Sequence, residues 1–290
     1  MGTLNSINPM AAALYFLMTA GIAMFSMNPV ILTLSLIGGI MFFFIRQKNT
    51  NIKTHLYSLL LFVVMTVINP FVNHNGATVL FIMNDNPITL EALIYGIFAS
   101  AMIISVLYWF RNFTSIMTSD KLLYIFGGLS PKLALILSMA LRFIPMFTRQ
   151  TAKTEQAQKA MGLYKEDNIA DNIKGKLNIF NIIITWGLEN GIITADSMTA
   201  RGYGTGKRTS FSLFVWRKND IAFLTISAIL FAVTIYGLSS SEFSYYPYFS
   251  VSENSIVEII CFTAYGLLVT IPSFLEIKEA LRWKFLKSKA

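Results

Sequence analysis

The stretch RFIPMFTRQTAKTEQAQKAMG, residues 142–162, decides the fold of this chain. Its apolar residues recur at helical spacing, so that Phe143 and Phe147 can share one face while Arg149 lies elsewhere around the helix. Gly162 follows as a stop signal, because glycine is favoured just past the C-terminal end of a helix. The stretch predicts a long amphipathic helix, which is unusual beside the rest of the sequence.

The composition is that of a membrane protein. Of the 290 residues, 54% are hydrophobic and only 13% are charged, whereas a soluble domain carries about a quarter charged residues. The single cysteine, Cys261, lies in an apolar run, which excludes a disulfide framework and a cysteine-based metal site. The two histidines are too few and too far apart to indicate a metal cluster.

Apolar runs of a length suited to cross a bilayer occur six times. The first two are separated only by Asn28-Pro29, and one helix through both would be about 55 Å long, too long for the bilayer core. A tight hairpin, or a first segment that crosses only in part, is therefore expected. Runs 122–141 and 176–194 contain polar residues and could instead lie along the membrane surface. The six runs are 10–27, 29–45, 56–72, 91–110, 221–238 and 256–275.

The placement of the basic residues predicts the orientation. All 23 Lys and Arg fall within 46–53, 111–218 and 278–289, and the loops 73–90 and 239–255 contain none. Because basic loops stay on the cytoplasmic side, this pattern predicts that both termini are cytoplasmic. The net charge of +8 thus reflects topology and attraction to anionic membrane lipid or an acidic protein partner, and it does not indicate nucleic-acid binding.

The chain divides into three regions on this reading. Residues 1–110 form N-terminal transmembrane helices, 111–218 form a long basic insert, and 219–290 form C-terminal transmembrane helices with a basic tail. Within the insert, a second long helix is expected from about 173 to 201, with Gly202 as its stop.

The second helix of the insert carries small residues at four-residue spacing. Gly187, Gly191 and Ala195 form this stripe, and Ala152 and Ala160 lie on a similar register of the first helix. Small residues let two helix backbones approach closely, so the stripe predicts a helix crossing. The alternative is a helix weakened by about 1 kcal/mol at each glycine for no purpose.

Arg201, at the end of the second helix, admits several interpretations. A cation at a helix C-terminus gains about 0.3–1 kcal/mol from the helix dipole. DSMTAR, 196–201, resembles the D-G-x-x-A-R start of membrane CDP-alcohol phosphatidyltransferases, but Ser197 replaces the glycine and the downstream aspartate pair is missing. A phosphate loop would need glycine at 201 and serine or threonine at 208, and both positions are arginine.

The sequences at the two helix ends are similar to each other, and they also resemble a known protein family. QKAMGLY, 158–164, and MTARGYG, 198–204, both place alanine, one residue and then glycine at the expected stop. From about residue 55 onward, and most of all in ALRFIP, QAQKAMG and MTARGYG, the chain resembles the transmembrane T component of energy-coupling factor (ECF) transporters, the CbiQ-like family. The stretch 69–96 is also similar to the segment between spans in that family.

The resemblance implies two long coupling helices that cross in the cytoplasm, each ending in a short motif that docks into a groove of an ABC-type ATPase subunit. Arginine is usual at the centre of each motif, and here the first motif has methionine instead. The implied docking residues are Ala160, Met161, Gly162, Ala200, Arg201 and Gly202.

The expected protein is therefore all-α, with about six transmembrane helices plus two long crossed cytoplasmic coupling helices, in a bacterial or archaeal cell membrane. The resemblance implies that it couples ATP hydrolysis in two partner ATPases to a substrate-specific membrane S component that takes up vitamins or transition metals such as cobalt. Such a role needs no catalytic residue, cofactor or metal in this chain.

The alternative of a stand-alone secondary transporter would place ionisable residues within spans. Here we interpret Glu91 and Glu258 as solvated or interfacial acids near span ends, and His74 as part of an external loop rather than a metal site.

Overall fold

The computed structural model describes residues 3–47, 52–73, 76–83, 86–162, 169–206, 214–240, 245 and 256–289. Helices dominate these residues, which confirms the all-α fold class, and a two-stranded antiparallel hairpin is the only sheet among them. In chain order the elements are α1 (Thr3–Ser6), α2 (Pro9–Phe25), α3 (Pro29–Arg46), α4 (Ile52–Val72), β1 (Val79–Met83), β2 (Asn86–Thr89), α5 (Leu90–Ile116), α6 (Ser119–Leu129), α7 (Pro131–Ala160), α8 (Ile169–Ala200), α9 (Lys218–Ser240) and α10 (Ile256–Lys289).

Two Asn-Pro pairs start the first two long helices. The side-chain oxygen of Asn8 accepts a hydrogen bond from the Met10 N–H at 3.0 Å, and Asn28 does the same for Val30 at 3.0 Å. Each following proline takes the first helical position, where its missing N–H costs nothing. The second pair ends one helix and begins the next, so the predicted break between the first two apolar runs is confirmed.

Six helices among the described residues are long and apolar enough to cross a membrane, and the chain is a multi-pass membrane protein. The number agrees with the sequence, but the members differ. The 17-residue α2 is shorter than the others, and α7 qualifies although the sequence indicated a cytoplasmic helix there. The six are Pro29–Arg46, Ile52–Val72, Leu90–Ile116, Pro131–Ala160, Lys218–Ser239 and Ile256–Leu286.

The chain folds as two compact units. The first joins Met1–Leu122 to Phe214–Ala290, so the two ends of the sequence pack together, and the second is Leu123–Leu213. The second unit begins later than the insert predicted at 111–218, because α5 continues to Ile116 before α6 starts.

Close approach of α3 and α10 organises the core of the first unit. A Cβ atom on Gly38 would lie 1.7 Å from Cγ1 of Val269, so only glycine permits this contact. Beside it, the Trp109 indole N–H donates to the Ser35 hydroxyl at 2.9 Å, and Ser35 shares a 2.5 Å hydrogen bond with Ser105. These three buried polar groups are thus paired with each other, as the bilayer requires of polar groups away from water.

A charged cluster lies where α3, α5 and α10 meet at one end. Arg46 forms an ion pair with Glu276 at 2.8 Å, and its Nε donates to the Ser115 hydroxyl at 3.0 Å. Lys121 is buried nearby, and burial together with the Arg46 charge lowers the pKa of its ammonium. This end of the first unit therefore depends on one ion pair shielded from water.

Candidate functional site

Two long helices form most of the second unit. Helix α7 has 30 residues and α8 has 32, which makes them about 45 and 48 Å long at about 1.5 Å per residue. Pro131 takes the first turn of α7, so the helix begins ahead of the predicted start at 142 and absorbs part of the ambiguous run 122–141. The second helix begins at Ile169, four residues before its predicted start at about 173.

One aromatic contact holds α7 against α8. Two ring carbons of Phe147 lie 2.9 and 3.1 Å from the position that a Cβ on Gly187 would take. The same ring meets Trp186 edge-on at a centroid distance of 5.8 Å and stacks on Phe143 at 5.8 Å. The glycine therefore provides the space into which the α7 aromatic side chain fits.

The rest of the small-residue stripe has different surroundings. No atom lies within 4 Å of the position that a Cβ on Gly191 would take. Gly191 and Ala195 instead line a groove of about 310 Å³, together with Met139, Met198 and Tyr203. Side chains of α7 therefore approach Gly187 closely and do not approach Gly191 in the same way.

Helix α8 ends in a Schellman cap. The N–H of Gly202 donates to the Thr199 carbonyl at 3.0 Å, and the N–H of Tyr203 donates to the Met198 carbonyl at 3.0 Å. Gly202 has a φ of 81°, which glycine adopts at little cost. The chain therefore turns away directly after Arg201 and leaves that side chain exposed at the tip of the helix.

Helix α7 also ends at a glycine of positive φ. Met161 is its C-cap, and the N–H of Gly162 donates to the Lys159 carbonyl at 3.1 Å, the counterpart of the Gly202 bond. Gly162 has a φ of 71°. Met161 is 64% exposed and occupies the position that Arg201 has in the other cap. The two motifs thus share a backbone conformation and differ in the side chain that they present.

The charges at the two tips are accessible. Among the described residues, the Arg201 guanidinium makes no ion pair or hydrogen bond. At the other tip, Lys159 pairs with Glu155 at 3.3 Å on an exposed helix face. An exposed arginine with five N–H donors is suited to carboxylates and carbonyls of a partner.

Substituting Gly187 by leucine is expected to separate α7 from α8. The added side chain would overlap the Phe147 ring, and overpacking of this kind costs about 1–3 kcal/mol. Proximity of the two helices can be measured by disulfide cross-linking of cysteines placed at Phe143 and Thr194, in a variant that lacks Cys261. We expect cross-linking to fall in the Gly187→Leu protein.

The matched control for this experiment is Gly191→Ala. Its methyl group would enter open space, and alanine favours helix over glycine by about 1 kcal/mol, so cross-linking should stay at the parent level. Equal cross-linking in the Gly187→Leu and Gly191→Ala proteins would show that Phe147 and Gly187 do not set the helix spacing.

The acidic residues near span ends correct one sequence interpretation. Glu91 and Glu258 are only 4% and 5% exposed, so the expectation that they are solvated is wrong, and the alternative that they lie near the membrane interface stays a prediction. Glu91 accepts hydrogen bonds from the backbone N–H and hydroxyl of Thr78, which compensate its burial. The tertiary fold brings this threonine to the start of α5, and the sequence spacing does not show it. His74 lies outside the described residues.

Comparison with known proteins gives a consistent result. A model of the family described as "CbiQ: Cobalt transport protein" matches residues 3–212. The chain is similar to the energy-coupling factor transporter transmembrane protein EcfT 1 of Listeria monocytogenes, with 27% identity over 186 residues, which cover 60% of this chain and 70% of that protein.

Two EcfT proteins match over shorter stretches. That of Listeria innocua is 38% identical over 101 residues, covering 34% of this chain and 38% of the relative. That of Streptococcus thermophilus is 32% identical over 117 residues, covering 38% and 44%. These two matches span less than half of each relative.

Proposed function

Because the chain belongs to the CbiQ family of cobalt transport proteins, as its sequence motifs predict, we propose that it is the transmembrane coupling subunit of an ECF-type ABC importer. In this role it transmits the motion of partner ATPases to a substrate-binding membrane protein. The names of its EcfT relatives support the assignment to energy-coupling factor transport.

The observation that carries the proposal is the pair of matching helix caps. Two long helices in one compact unit each end in Ala, one exposed residue and a glycine of positive φ. Each cap offers a rigid, exposed tip, and two tips suit two copies of a partner or two related partners. In the proposal, Ala160, Met161 and Gly162 dock one ABC-type ATPase subunit, and Ala200, Arg201 and Gly202 dock the other.

In this proposal, the stiffness of the two helices couples the motion of the ATPases to the rest of the chain. Backbone hydrogen bonds stiffen each helix along its axis, with one bond missing in α7 at Pro145, and the Phe147 contact at Gly187 ties α7 to α8. A displacement of either tip therefore moves the helix pair rather than bending one helix alone. No step of this mechanism requires bond chemistry in this chain, since ATP is hydrolysed in the partner subunits.

The second partner is a substrate-specific S component, and its cargo is a vitamin or a transition-metal ion. The family description, cobalt transport, supports a metal among the possible cargoes. The groove lined by Gly191 and Ala195 is apolar on the α7 side, which supports contact with another membrane protein or lipid. Substrate specificity in this scheme belongs to the S component.

The direct test is isolation of the tagged chain from its own cell membrane in a mild detergent. Mass spectrometry should find ABC ATPase subunits at two per chain, and removal of the chain should stop ATP-dependent uptake of the cargo of the accompanying S component. Purification of the chain alone, with uptake unchanged by its removal, would favour the stand-alone transporter.

Topology gives an independent prediction. The distribution of basic residues supports cytoplasmic termini and cytoplasmic coupling tips. In a protein lacking Cys261, a cysteine at Ala77 should react with an impermeant maleimide added outside the cell. A cysteine at Thr205 should react only after the membrane is opened. Both positions are exposed.

The control is a third cysteine at Leu60, midway along α4, which lipid should shield in both conditions. Labelling of Thr205 from outside the intact cell would contradict the proposed orientation and the ATPase docking together.

A further inference from the structure

The hairpin β1–β2, which connects α4 to α5, exposes an uninterrupted apolar surface. Val79, Leu80, Phe81 and Ile82 are between 53% and 69% exposed. The described strand residues, 79–83 and 86–89, include no charged side chain. Exposed edge strands of soluble proteins usually carry charges that prevent association, and this hairpin has none in its described part.

Both faces of β1 are apolar. Phe81 pairs with Ile88 and Ile82 with Pro87 in regular register, so the side chains of Phe81 and Ile82 point to opposite faces. A bulge between Val79 and Phe81 interrupts the alternation before them. A strand that rests on a protein surface buries one face and leaves the other polar. Here the two faces are similarly exposed and similarly apolar, which indicates surroundings that are apolar on both sides.

The base of the hairpin is held firmly. The N–H of Leu90 donates to the Thr78 carbonyl at 3.0 Å, and the N–H of Thr78 donates to the Glu91 carboxylate at 3.3 Å. In β2, Ile88 and Thr89 are almost fully buried. The position of β1 is therefore fixed by hydrogen bonds at the base of the hairpin. Its apolar side chains are exposed in this fixed position.

Apolar side chains are also exposed at the end of α4, the helix that contacts β2. Phe71 and Val72, the last residues of α4, are 51% and 68% exposed. Helix α4 has 21 residues, a length of about 32 Å that matches the roughly 30 Å thickness of the hydrocarbon core. Its end at Val72 thus lies near the hydrocarbon boundary, and the hairpin begins seven residues later, close to the same level.

We propose that this hairpin inserts into the membrane interface at the end of α4, with both faces of β1 in contact with lipid. The depth follows from the backbone. β1 pairs with β2 along one edge, and an unpaired strand edge is not tolerated within the hydrocarbon region, where water cannot satisfy its N–H and C=O groups. The hairpin therefore lies at the boundary of head groups and acyl chains, where water still reaches the free edge.

Insertion can be measured with a fluorescent probe. Single cysteines at Leu80, Phe81 or Ile82, in the full chain with Cys261→Ala, are labelled with NBD and reconstituted into phosphatidylcholine vesicles. Nitroxide lipids of different depth then quench the label. All three positions should lose more emission with a nitroxide near the glycerol than with one near the chain end, and iodide in the water should quench them weakly.

Two labelled controls calibrate the depth. NBD at Leu60, on the exposed face of α4, should respond most to the deep nitroxide, and NBD at Thr205 should respond to iodide alone. Strong quenching at only one of Phe81 and Ile82, which lie on opposite faces of the strand, would overturn the proposal in favour of a one-sided protein contact. Strong iodide quenching at all three positions, with no effect of either nitroxide, would overturn it in favour of a hairpin in water.

Discussion

Replacing Arg201 by alanine is expected to release an ATPase subunit from the complex and to abolish or strongly reduce uptake. In the proposed complex its guanidinium enters an acidic, partly desolvated groove, and losing such charge-assisted hydrogen bonds costs about 2–5 kcal/mol. That corresponds to a weakening of about 30-fold or more. The cap of α8 should remain intact, because its hydrogen bonds come from backbone atoms and its turn from Gly202.

Two substitutions separate the geometry of the arginine from its charge. Arg201→Lys should restore docking poorly, because lysine keeps the charge but lacks the planar fork of the guanidinium. The matched control is Met161→Ala at the corresponding position of the other cap, which removes only apolar contact and should weaken docking less. Met161→Arg should be tolerated, since the backbone there already has the same conformation.

The measurement is co-purification of the ATPase subunits with each variant, alongside uptake in cells. If Arg201→Ala co-purifies and transports like the parent, the arginine is only a favourable charge at a helix C-terminus.

Replacing Arg46 by methionine is expected to destabilise the first unit by about 3–5 kcal/mol, because the carboxylate of Glu276 would remain buried without its partner. The two side chains are only 13% and 11% exposed, and Arg46 also donates to Ser115. Thermal unfolding of the purified protein in detergent should show a large fall in midpoint temperature. Glu276→Met alone should have a similar effect.

The double variant Arg46→Met with Glu276→Met tests the cause. Removing both charges leaves neither member of the ion pair buried alone, so the double variant should be more stable than either single one. The effect of the double variant minus the sum of the two single effects measures the coupling energy. The control is Lys159→Met, which breaks the exposed pair with Glu155 and should cost at most about 1 kcal/mol. A double variant as unstable as the sum of the single ones would show that the ion pair does not act as a unit.

Local signals in the sequence predicted much of this fold. The Asn28-Pro29 pair separates two helices because asparagine caps the second one and proline fits only its first turn. Gly162 and Gly202 end α7 and α8 at the expected residues, because both have a positive φ that other residues rarely adopt. Such features depend on residues within a few positions of each other and can be read without knowledge of the tertiary structure.

Features that depend on distant contacts could not be predicted. The sequence marked Gly187 and Gly191 alike, and only the position of Phe147 distinguishes them. Glu91 resembled a solvated acid until the fold brought Thr78 against it. The start of α7 was also missed, because the apolar residues after Pro131 suit a membrane segment and a buried helix equally well.

The matching caps of α7 and α8 also bear on how such a protein can evolve. Since backbone hydrogen bonds and a glycine make each cap, the side chains of residues 161 and 201 contribute nothing to the turn that displays them. A single codon change can therefore exchange the displayed side chain without altering the helix end. In the proposed complex, one tip can thereby change to suit a different ATPase subunit while the other tip keeps its partner. The methionine at one tip and the arginine at the other are the kind of divergence that this arrangement permits.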